Sequence, residues 1–523
     1  MSVARILIHG KWVEAEASSF FRANNPATGE ALAMQFPVSK WEDCERALAA
    51  AAFAVKELHD IAPAKIAAFL EEYAAAIEAA ADEIVKAANE ETGLPASPRL
   101  KDVELPRTTN QLRQAAAAAR EESWKQATID TARNIRSSFA AIGPVVVFGP
   151  NNFPLAFNGI SGGDFAAAIV AGNPVIAKAH PLHPNTTRLL AEQAQMAADA
   201  TGMPKGLVQL LYHVSNEDGL KLVSDARVGA IGFTGSRNAG IHLKRAAEEA
   251  GKPIYLEMSS INPVIFLPGT LEENAEVLAK ELADSCLAAS GQFCTSPNLI
   301  LLWNGQTSEK FISTVAAIFN ERAPQPLLSQ NAPHQLSSGT KAFIDGGAQL
   351  VTGGKNASGP GYRFTNTLLR TSGKDMLAKP HELQREVFGN VTMITTVSDE
   401  KELAAILEKM EGNLTGTIYS AKSGKDDAVY ARIESTLRQK VGRLLNDKMP
   451  TGVAVSPAMN HGGPFPATSH PGFTSVGIPA SISRFAMLQC YDGVREGRLP
   501  EILRDKIKNS ETWRSIDGAW VRG

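Results

Sequence analysis

The strongest constraint on the fold is a series of short apolar strands that alternate with helical segments between residues 143 and 257. The sequence predicts strands at 144–148, 174–177, 207–211, 228–233 and 253–257. Continuous β-branched runs of this length are typical of parallel strands that are buried on both faces. Strands that alternate with helices predict βαβ units and a doubly wound α/β sheet, an architecture that binds nucleotides.

The rest of the chain provides material for at least one more domain. A chain of 523 residues is too long for one core, so we expect two or three domains. Small strands and turns are predicted near the N-terminus, followed by Ala-rich helices over 41–120, one of which ends at Gly93. We expect the strand at 253–257 to start a second α/β stretch, followed by a Gly-, Pro- and His-rich loop at 451–477.

Composition argues against several classes of protein. The formal net charge of −3 gives no electrostatic case for binding nucleic acid or an anionic membrane. The four cysteines are scattered without a CxxC pair, which favours a reducing compartment and predicts neither disulfides nor a metal site. The sequence has no signal-peptide pattern and no apolar run of about 18 residues, so we expect a cytoplasmic protein without a membrane span.

The strongest chemical candidate is Cys294, in the segment SGQFCTSP. Small polar neighbours can supply a turn, backbone donors and access to solvent, which suits a nucleophilic thiol. Cys286 differs because it lies in an apolar helical run, as a structural cysteine does. The segment alone leaves a structural role for Cys294 open.

Two further candidates follow predicted strands. Asn152, in GPNNFP at 149–154, can donate an amide N–H to a developing oxyanion, or it can form a turn that caps the next helix. Lys178 ends the strand in VIAKAHP and can bind ribose hydroxyls or phosphate, although an exposed lysine at a strand end is equally common.

Three more segments carry groups that suit a nucleotide or a general base. Gly235 and Ser236, in FTGS, lie at a strand–turn–helix junction whose free N–H groups can face a pyrophosphate. Glu257 ends an apolar strand, where burial is expected to raise the pKa of its carboxyl group toward that of a general base, although an ion-paired or capping role is equally open. Glu386 and Phe388, in REVFGN, add a carboxylate and an aromatic ring.

The order of these segments carries more information than any one of them. GPNNFP, Lys178, FTGS, Glu257, GQFC and EVFG, in this order, resemble the aldehyde dehydrogenase superfamily over essentially the whole chain. Within it, EMSSINPV, GQFCT, HGGPFPAT, FTSVG and the C-terminal LPEILRD and WRSIDGAWVR are similar to the α-ketoglutarate-semialdehyde (2,5-dioxopentanoate) dehydrogenases.

The resemblance implies the roles of three catalytic residues. Cys294 would attack the aldehyde carbon, and its backbone N–H would form the oxyanion hole together with Asn152. Hydride transfer to a nicotinamide would leave a thioester, and Glu257 would activate the water that hydrolyses it.

The resemblance also implies a dinucleotide cofactor, NADP or NAD. The residues expected to bind it are Lys178 and Glu386 at the riboses, Ser236 with Gly235 at the pyrophosphate, Phe388 beside the nicotinamide, and Pro150. Many NAD-using members have a glutamate three residues after the strand-end lysine, whereas Pro181 stands there in this sequence. Without that carboxylate there is less to repel a 2′-phosphate, so the sequence admits NADP as well as NAD as the cofactor.

The implied architecture is an α/β fold with a Rossmann-like cofactor-binding domain, an α/β catalytic domain and a small oligomerisation hairpin. We place the NAD(P)-binding domain at 1–123 and 141–256, the catalytic domain at 257–455, and the oligomerisation and tail segments at 124–140 and 481–523. A homodimer or homotetramer with a small-molecule aldehyde substrate is expected from the family.

Several functions stay open at this level. The first is hydrolytic oxidation of a short semialdehyde, with 2,5-dioxopentanoate as the substrate. Alternatives are a medium- or long-chain fatty aldehyde, transfer of the acyl group to coenzyme A, and a binding protein that has lost its chemistry. A cysteine hydrolase would need a histidine partner for Cys294, for which His461 is the candidate, although we expect His461 to shape the substrate loop.

Overall fold

The computed structural model describes residues 3–523. The strands are, in chain order, β1 (Ile6–Ile8), β2 (Lys11–Val13), β3 (Ala17–Phe21), β4 (Phe36–Ser39), β5 (Thr128–Asp130), β6 (Ile135–Ala141), β7 (Val145–Phe148), β8 (Val175–Lys178), β9 (Val208–Leu211), β10 (His213–Val214), β11 (Ala230–Thr234), β12 (Ile254–Glu257), β13 (Val264–Phe266), β14 (Leu299–Trp303), β15 (Gln349–Thr352), β16 (Thr367–Ser372), β17 (Val391–Val397), β18 (Asn413–Tyr419), β19 (Val441–Asn446), β20 (Ala486–Asp492), β21 (Trp513–Ile516) and β22 (Ala519–Arg522).

The helices that connect and cover these strands are α1 (Trp41–Leu58), α2 (Pro63–Ala79), α3 (Ala81–Thr92), α4 (Leu105–Glu121), α5 (Gly163–Val170), α6 (Pro184–Ala200), α7 (Asn216–Ser224), α8 (Arg237–Glu249), α9 (Pro268–Leu287), α10 (Gln306–Glu321), α11 (Ala332–Asp345), α12 (Gly373–Ala378), α13 (Pro380–Leu383), α14 (Glu400–Glu408) and α15 (Asp427–Lys440). No helix among the described residues is long and apolar enough to span a membrane.

The first large sheet contains the strands predicted between residues 143 and 257. Its order is β12-β11-β7-β8-β9-β1-β2, and the five strands from β12 to β9 are parallel. Their apolar side chains are buried because helices cover both faces. The strand that ends at Glu257 forms the edge of this sheet, beside β11, so the expectation that it starts the second α/β stretch is wrong. Strand pairing is non-local and cannot be read from a single segment.

The carboxyl ends of these parallel strands lie at one edge of the first sheet. Phe148 pairs with Lys178 and with Phe233, and Thr234 pairs with Glu257. The segments that follow β7, β8, β11 and β12 therefore meet at this edge, where open α/β sheets bind their ligands. Most of the predicted site residues belong to these segments.

A second seven-stranded sheet is formed by β15-β16-β17-β14-β13-β18-β19 and has separate apolar cores on its two faces. Helix α9 precedes the turn at Ala288–Gly291, which leads into Cys294. Ala289, Ser290 and Gly291 all have positive φ angles. A Cβ atom at Gly291 would lie 2.3 Å from the carbonyl oxygen of Gly389, so this position requires glycine.

A five-stranded sheet joins the predicted hairpin to the tail, in the order β20-β6-β5-β21-β22. Strand β20 pairs with β6 over its whole length, from Ala486 opposite Ala141 to Asp492 opposite Ile135. The two segments predicted to mediate oligomerisation thus form one structural unit. Their role in assembly stays a prediction, as do the domain limits at 1–123, 141–256, 257–455 and 481–523.

Some local predictions are wrong. The long helix expected before Gly93 is two helices, α2 and α3, that meet at Ala80. A turn at Asn152 that caps the next helix was one alternative, but the segment with Ala156 and Phe157 forms turns, and the next helix, α5, begins only at Gly163. Contacts of the loop with the core, which no local pattern specifies, determine its shape.

Candidate active site

Cys286 and Cys294 lie in different environments. Cys286 is buried in α9 near the carbonyl of Pro297, and burial raises the pKa of its thiol to about 12. Cys294 is partly exposed and lines a cavity of about 700 Å³. The two cysteines are therefore distinct: one is a packing residue, and the other faces a space that a small molecule can enter.

Asn152 lies directly beside the segment that carries Cys294. Its Nδ2 donates a hydrogen bond to the carbonyl of Gln292, at 3.0 Å, and its side chain is 6% exposed. The amide has a second N–H, which leaves one donor for a ligand. This hydrogen bond holds the Asn152 amide against the segment that carries Cys294.

Asn262 fixes the backbone on the other side of Cys294, and the sequence analysis missed it. Its Nδ2 donates to the carbonyls of Cys294 and Ser296, at 2.9 and 2.8 Å. Asn262 has a positive φ of 48°, a conformation that asparagine tolerates better than most residues. The segment EMSSINPV contained this residue, but no sequence signal shows which backbone its amide would meet.

Glu257 is buried at the end of β12 and is held by two side chains. His461 Nε2 lies 2.9 Å from its Oε1, and Ser475 Oγ donates to its Oε2 at 3.0 Å. Burial alone would raise the pKa of Glu257, but the charge of His461 and hydrogen bonds from His461, Ser475 and Cys294 hold it below its usual value. The expected rise in pKa is therefore wrong, because the sequence did not reveal these partners.

His461 contacts both reactive side chains, so its expected role in shaping a loop is incomplete. Its Nε2 lies 3.5 Å from Cys294 Sγ. A carboxylate oxygen of Glu257, the Sγ of Cys294 and a ring nitrogen of His461 all lie within 4.8 Å of one another. Thr474 and Ser475 hold the backbone of His461 by hydrogen bonds. A distance of 167 residues along the chain separates His461 from Cys294, which explains why no local pattern predicted the contact.

The electrostatics of this cluster determine where its proton resides. Burial and the negative charge of Glu257 raise the pKa of Cys294 well above its usual value, against a lowering effect of Arg107. At neutral pH the cluster thus contains a thiol beside an ionised carboxylate. A proton acceptor is in place next to the nucleophile.

The predicted cofactor residues surround the carboxyl edge of the first sheet. Lys178 is the last residue of β8. Its ammonium group has no hydrogen-bond or ion-pair partner within residues 3–523, and burial lowers the pKa of this group to about 8. The carbonyl of Pro150 lies 2.9 Å from His183 Nε2. Ser236 caps α8 by accepting a hydrogen bond from the N–H of Ala239, and Gly235 precedes it. A free ammonium group and a helix N-terminus at this edge fit a dinucleotide.

Glu386 and Phe388 lie on the side of the second sheet. Glu386 lines another cavity, of about 690 Å³, together with Arg237 and Ser259. Burial raises the pKa of Glu386 to about 7, and its charge acts on Cys294. Phe388 is half-buried and precedes Gly389, which packs against the turn before Cys294. Glu386 thus acts on the nucleophile through its charge, and Phe388 lies next to the residue that contacts the turn before Cys294.

Comparison with known proteins gives a consistent result. The profile of the aldehyde dehydrogenase family matches residues 12–451. An α-ketoglutaric semialdehyde dehydrogenase 2 from Azospirillum brasilense is 37% identical over 517 residues, which cover 97% of each chain. An α-ketoglutaric semialdehyde dehydrogenase from Acinetobacter baylyi is 36% identical over 449 residues, which cover 84% of each chain.

The fold is similar to that of solved structures. The crystal structure of an aldehyde dehydrogenase C from Pseudomonas syringae, in complex with NAD+ and octanal, superposes with a TM-score of 0.82 at 20% identity, over 95% of this chain and 98% of that chain. This similarity confirms the α/β fold class that the alternating strands and helices predicted.

Proposed function

Because this chain belongs to the aldehyde dehydrogenase family, we propose that it oxidises α-ketoglutarate semialdehyde (2,5-dioxopentanoate) to α-ketoglutarate and that water releases the product. It is an NAD(P)-dependent aldehyde dehydrogenase, as the resemblance of its motifs implied. The observation that carries the proposal is the cluster of Cys294, His461 and Glu257 at a cavity with cationic side chains in its lining. The two relatives at 36–37% identity support the choice of substrate.

The first step is attack of Cys294 on the aldehyde carbon. The thiol proton leaves toward Glu257, whose low pKa keeps it ionised and able to accept. His461 Nε2 faces both groups, so its N–H can donate to the carboxylate first and to the thiolate afterwards. The carbonyl oxygen becomes an alkoxide, and in this proposal the amide of Asn152 and the backbone N–H of Cys294 stabilise it, an effect worth about 3–4 kcal/mol per donor.

The second step divides oxidation from hydrolysis. A bound nicotinamide supplies the hydride acceptor, and loss of the hydride leaves a thioester on Cys294. Glu257 first releases the thiol proton to solvent and then takes a proton from water, and the hydroxide adds to the thioester carbon. The Cys294 thiolate leaves and regains a proton from Glu257. One aldehyde, one water and one oxidised cofactor thus give one carboxylic acid, one reduced cofactor and one proton.

A carboxylate at the nucleophile also bears on the choice of acyl acceptor. Transfer to coenzyme A needs no base that activates water, because the acceptor is itself a thiol. Glu257 is held by His461 and Ser475 and lies within reach of Cys294. This arrangement favours hydrolysis over transfer to coenzyme A.

An apolar aldehyde is the second candidate substrate, and one observation favours it. Phe153, Phe157 and Phe293 line the cavity at Cys294, and Phe153 packs edge to face against each of the other two, with ring centroids 5.3 Å apart in both pairs. An aromatic lining of this kind can bind the alkyl chain of a medium-chain aldehyde.

The deciding experiment measures initial rates at 340 nm with NAD+ and NADP+, without coenzyme A. The substrates are 2,5-dioxopentanoate, succinate semialdehyde and a medium-chain aldehyde, and Cys294→Ala is the control. We expect the highest kcat/KM with 2,5-dioxopentanoate and no rate in the variant. A preference for the medium-chain aldehyde would contradict the substrate, and an absolute need for coenzyme A would contradict hydrolysis.

A further inference from the structure

The cavity at Cys294 contains an arginine whose hydrogen-bonding capacity is largely unused. Arg107 lies in the first turn of α4, and its Nη1 donates to the carbonyl of Val453 at 2.7 Å. Its Nε and Nη2 are buried and have no partner in the described part of the chain. Burial lowers the pKa of Arg107, against the opposing charges of Glu104 and Cys294. Buried guanidinium groups are normally paired, so this one lacks an anion.

The free atoms of Arg107 form one edge of the guanidinium group. Nε–H and the adjacent Nη2–H are parallel donors, and such a pair matches the two oxygens of a carboxylate. Nη1 is fixed by Val453, so the bound carbonyl and the free edge point to different sides. Both atoms are shielded from water, and Arg107 itself lines the cavity at Cys294.

Two neighbouring arginines have most of their donors occupied. Arg99 pairs with Glu104, donates to the carbonyl of Asn152 and stacks on Phe153 at 4.5 Å. Arg443 donates to the carbonyls of Gly452 and Pro450. Each keeps only Nε without a partner among residues 3–523, so neither offers a fork of two donors.

Arg107 is also placed correctly relative to the reacting atoms. It lines the same cavity as Cys294, and its positive charge lowers the pKa of that thiol. Its guanidinium lies over the ring of Phe157, at 5.2 Å, so the aromatic ring fixes one face of the group. A short aldehyde bound at Cys294 would extend along this wall.

We infer that Arg107 is the specificity-determining residue of this site and that it binds the distal carboxylate of an ω-aldehyde acid through Nε and Nη2. This inference rests on the proposed function and identifies the group that recognises the anionic end of the substrate. The aromatic rings then bind the short carbon chain between the carboxylate and the aldehyde. An uncharged aldehyde would leave the guanidinium unpaired and is disfavoured for that reason.

The test compares two substrates in wild type and two variants. Wild type, Arg107→Met and Arg107→Lys are assayed with 2,5-dioxopentanoate and with pentanal, which has the same number of carbons and no charge. We expect Arg107→Met to lower kcat/KM for the anionic substrate by about 30- to 1,000-fold, mainly through KM, because a buried charge pair is lost. Pentanal should change by less than about threefold, and Arg107→Lys should lie between wild type and Arg107→Met, because lysine keeps the charge without the fork.

A control and a direct binding measurement separate this role from a structural one. Lys448→Met removes an exposed cation at the same cavity and should change both substrates by less than about threefold, since exposed charges are screened by solvent. Calorimetric titration of Cys294→Ala with α-ketoglutarate should show binding that disappears in Cys294→Ala/Arg107→Met. An equal loss for both substrates, or unchanged binding of α-ketoglutarate, would overturn the inference.

The outcome also distinguishes the inference from the proposed function. If wild type prefers succinate semialdehyde to 2,5-dioxopentanoate, the substrate proposal fails, and the inference stands when Arg107→Met removes that preference. If 2,5-dioxopentanoate is the best substrate and Arg107→Met oxidises it normally, the proposed function stands and the inference fails. A wild-type preference for pentanal over both acids contradicts both.

Discussion

At the scale of single residues, the chemistry depends on how one N–H group is shared between a sulfur and a carboxylate. His461 Nε2 contacts Glu257 Oε1 at 2.9 Å and Cys294 Sγ at 3.5 Å, and a single N–H can serve only one of them at a time. The pKa values of the two groups are displaced in opposite directions, with Glu257 lowered and Cys294 raised. The resting site is therefore a thiol with a charged base beside it.

Removal of His461 should change both the rate and its pH dependence. We expect His461→Leu to lower kcat/KM by about 10²–10³-fold, because the thiolate loses its donor. The lowered pKa of Glu257 depends on His461, so in the variant burial dominates and the pKa rises. As the pH is lowered, the variant will therefore lose the activity that needs the carboxylate at a higher pH than wild type does. His461→Gln keeps an N–H donor and should recover part of the rate. If wild type, His461→Leu and His461→Gln all lose activity at the same pH, His461 does not set the pKa of Glu257.

Glu257→Gln should separate oxidation from hydrolysis. Without the carboxylate the pKa of Cys294 is lower, so the thiol can lose its proton to solvent and the thioester still forms. Water is not activated, so one equivalent of reduced cofactor per active site appears in a burst, followed by slow turnover. Mass spectrometry should find the acyl group on Cys294. The charge of Glu257 raises the pKa of that thiol, so its alkylation by iodoacetamide should become faster at neutral pH in the variant. Full steady-state turnover in Glu257→Gln would exclude this residue as the base.

Lys178 should make cofactor binding pH-dependent. Burial lowers its pKa to about 8, so in the free enzyme the ammonium is charged at pH 7 and loses its proton as pH rises through 8. We expect the dissociation constant for NADP+, measured by protein fluorescence, to increase between pH 7 and pH 9. Lys178→Met should bind weakly at both pH values and remove this dependence; an unchanged pH dependence in the variant would assign it to another group.

At the scale of elements, the turn at Ala288–Gly291 determines where the nucleophile stands. Three successive residues with positive φ end α9 and direct the chain toward the cavity. On the first sheet, the N-terminus of α6 is bound by Glu91 of α3, which accepts hydrogen bonds from the N–H groups of Asn185 and Thr186 at 2.8 Å. This contact fixes the loop between Lys178 and α6.

Gly291→Ala tests the turn directly. The added Cβ would lie 2.3 Å from the carbonyl oxygen of Gly389, and the φ of 67° is unfavourable for alanine. We expect a loss of kcat of at least about tenfold together with about 1–3 kcal/mol lower stability in denaturant unfolding. Gly472→Ala is the matched control, because nothing lies within 4 Å of its Cβ position. Wild-type activity in Gly291→Ala would show that the turn does not place Cys294.

At the scale of the whole molecule, the site is composite. Asn152 comes from the loop after β7, and Glu257 is the last residue of β12, both in the first sheet. Cys294 follows a helix that packs on the second sheet, and His461 comes from a loop that returns to the first sheet. The N–H of Met258 donates to the carbonyl of Ala467 at 2.8 Å, which attaches this loop to the first sheet. The reactive groups therefore meet only when both sheets and the crossing loop are in place.

The five-stranded sheet carries the prediction about assembly. It has edge strands β20 and β22 and exposes Leu488 (59%) and Trp520 (62%), unusual exposure for large apolar side chains. We expect wild type to have a mass of two or four chains of 55.8 kDa in light scattering, and Leu488→Glu to reduce it. Val277→Glu replaces an equally exposed apolar residue on α9 and should leave the mass unchanged. A monomeric wild type would contradict the prediction.

The sequence determined the elements and most of the chemistry. Strands β7, β8, β9, β11 and β12, the helix end at Gly93 and the contrast between Cys286 and Cys294 all follow from local periodicity and turn chemistry. The ordered motifs indicated the family because each residue type is needed for a step of its reaction. These features were predictable since they depend on interactions within a few residues of one another.

The tertiary structure decided which groups meet. The contact of His461 with Cys294, the amide of Asn262 on the Cys294 carbonyl, the unpaired edge of Arg107 and the place of β12 in the first sheet join segments far apart in the sequence. The low pKa of Glu257 belongs to the same set, because the partners that reverse the effect of burial come from distant loops. Strand pairing, burial and charge interactions depend on distance in space, and a single sequence specifies distance along the chain.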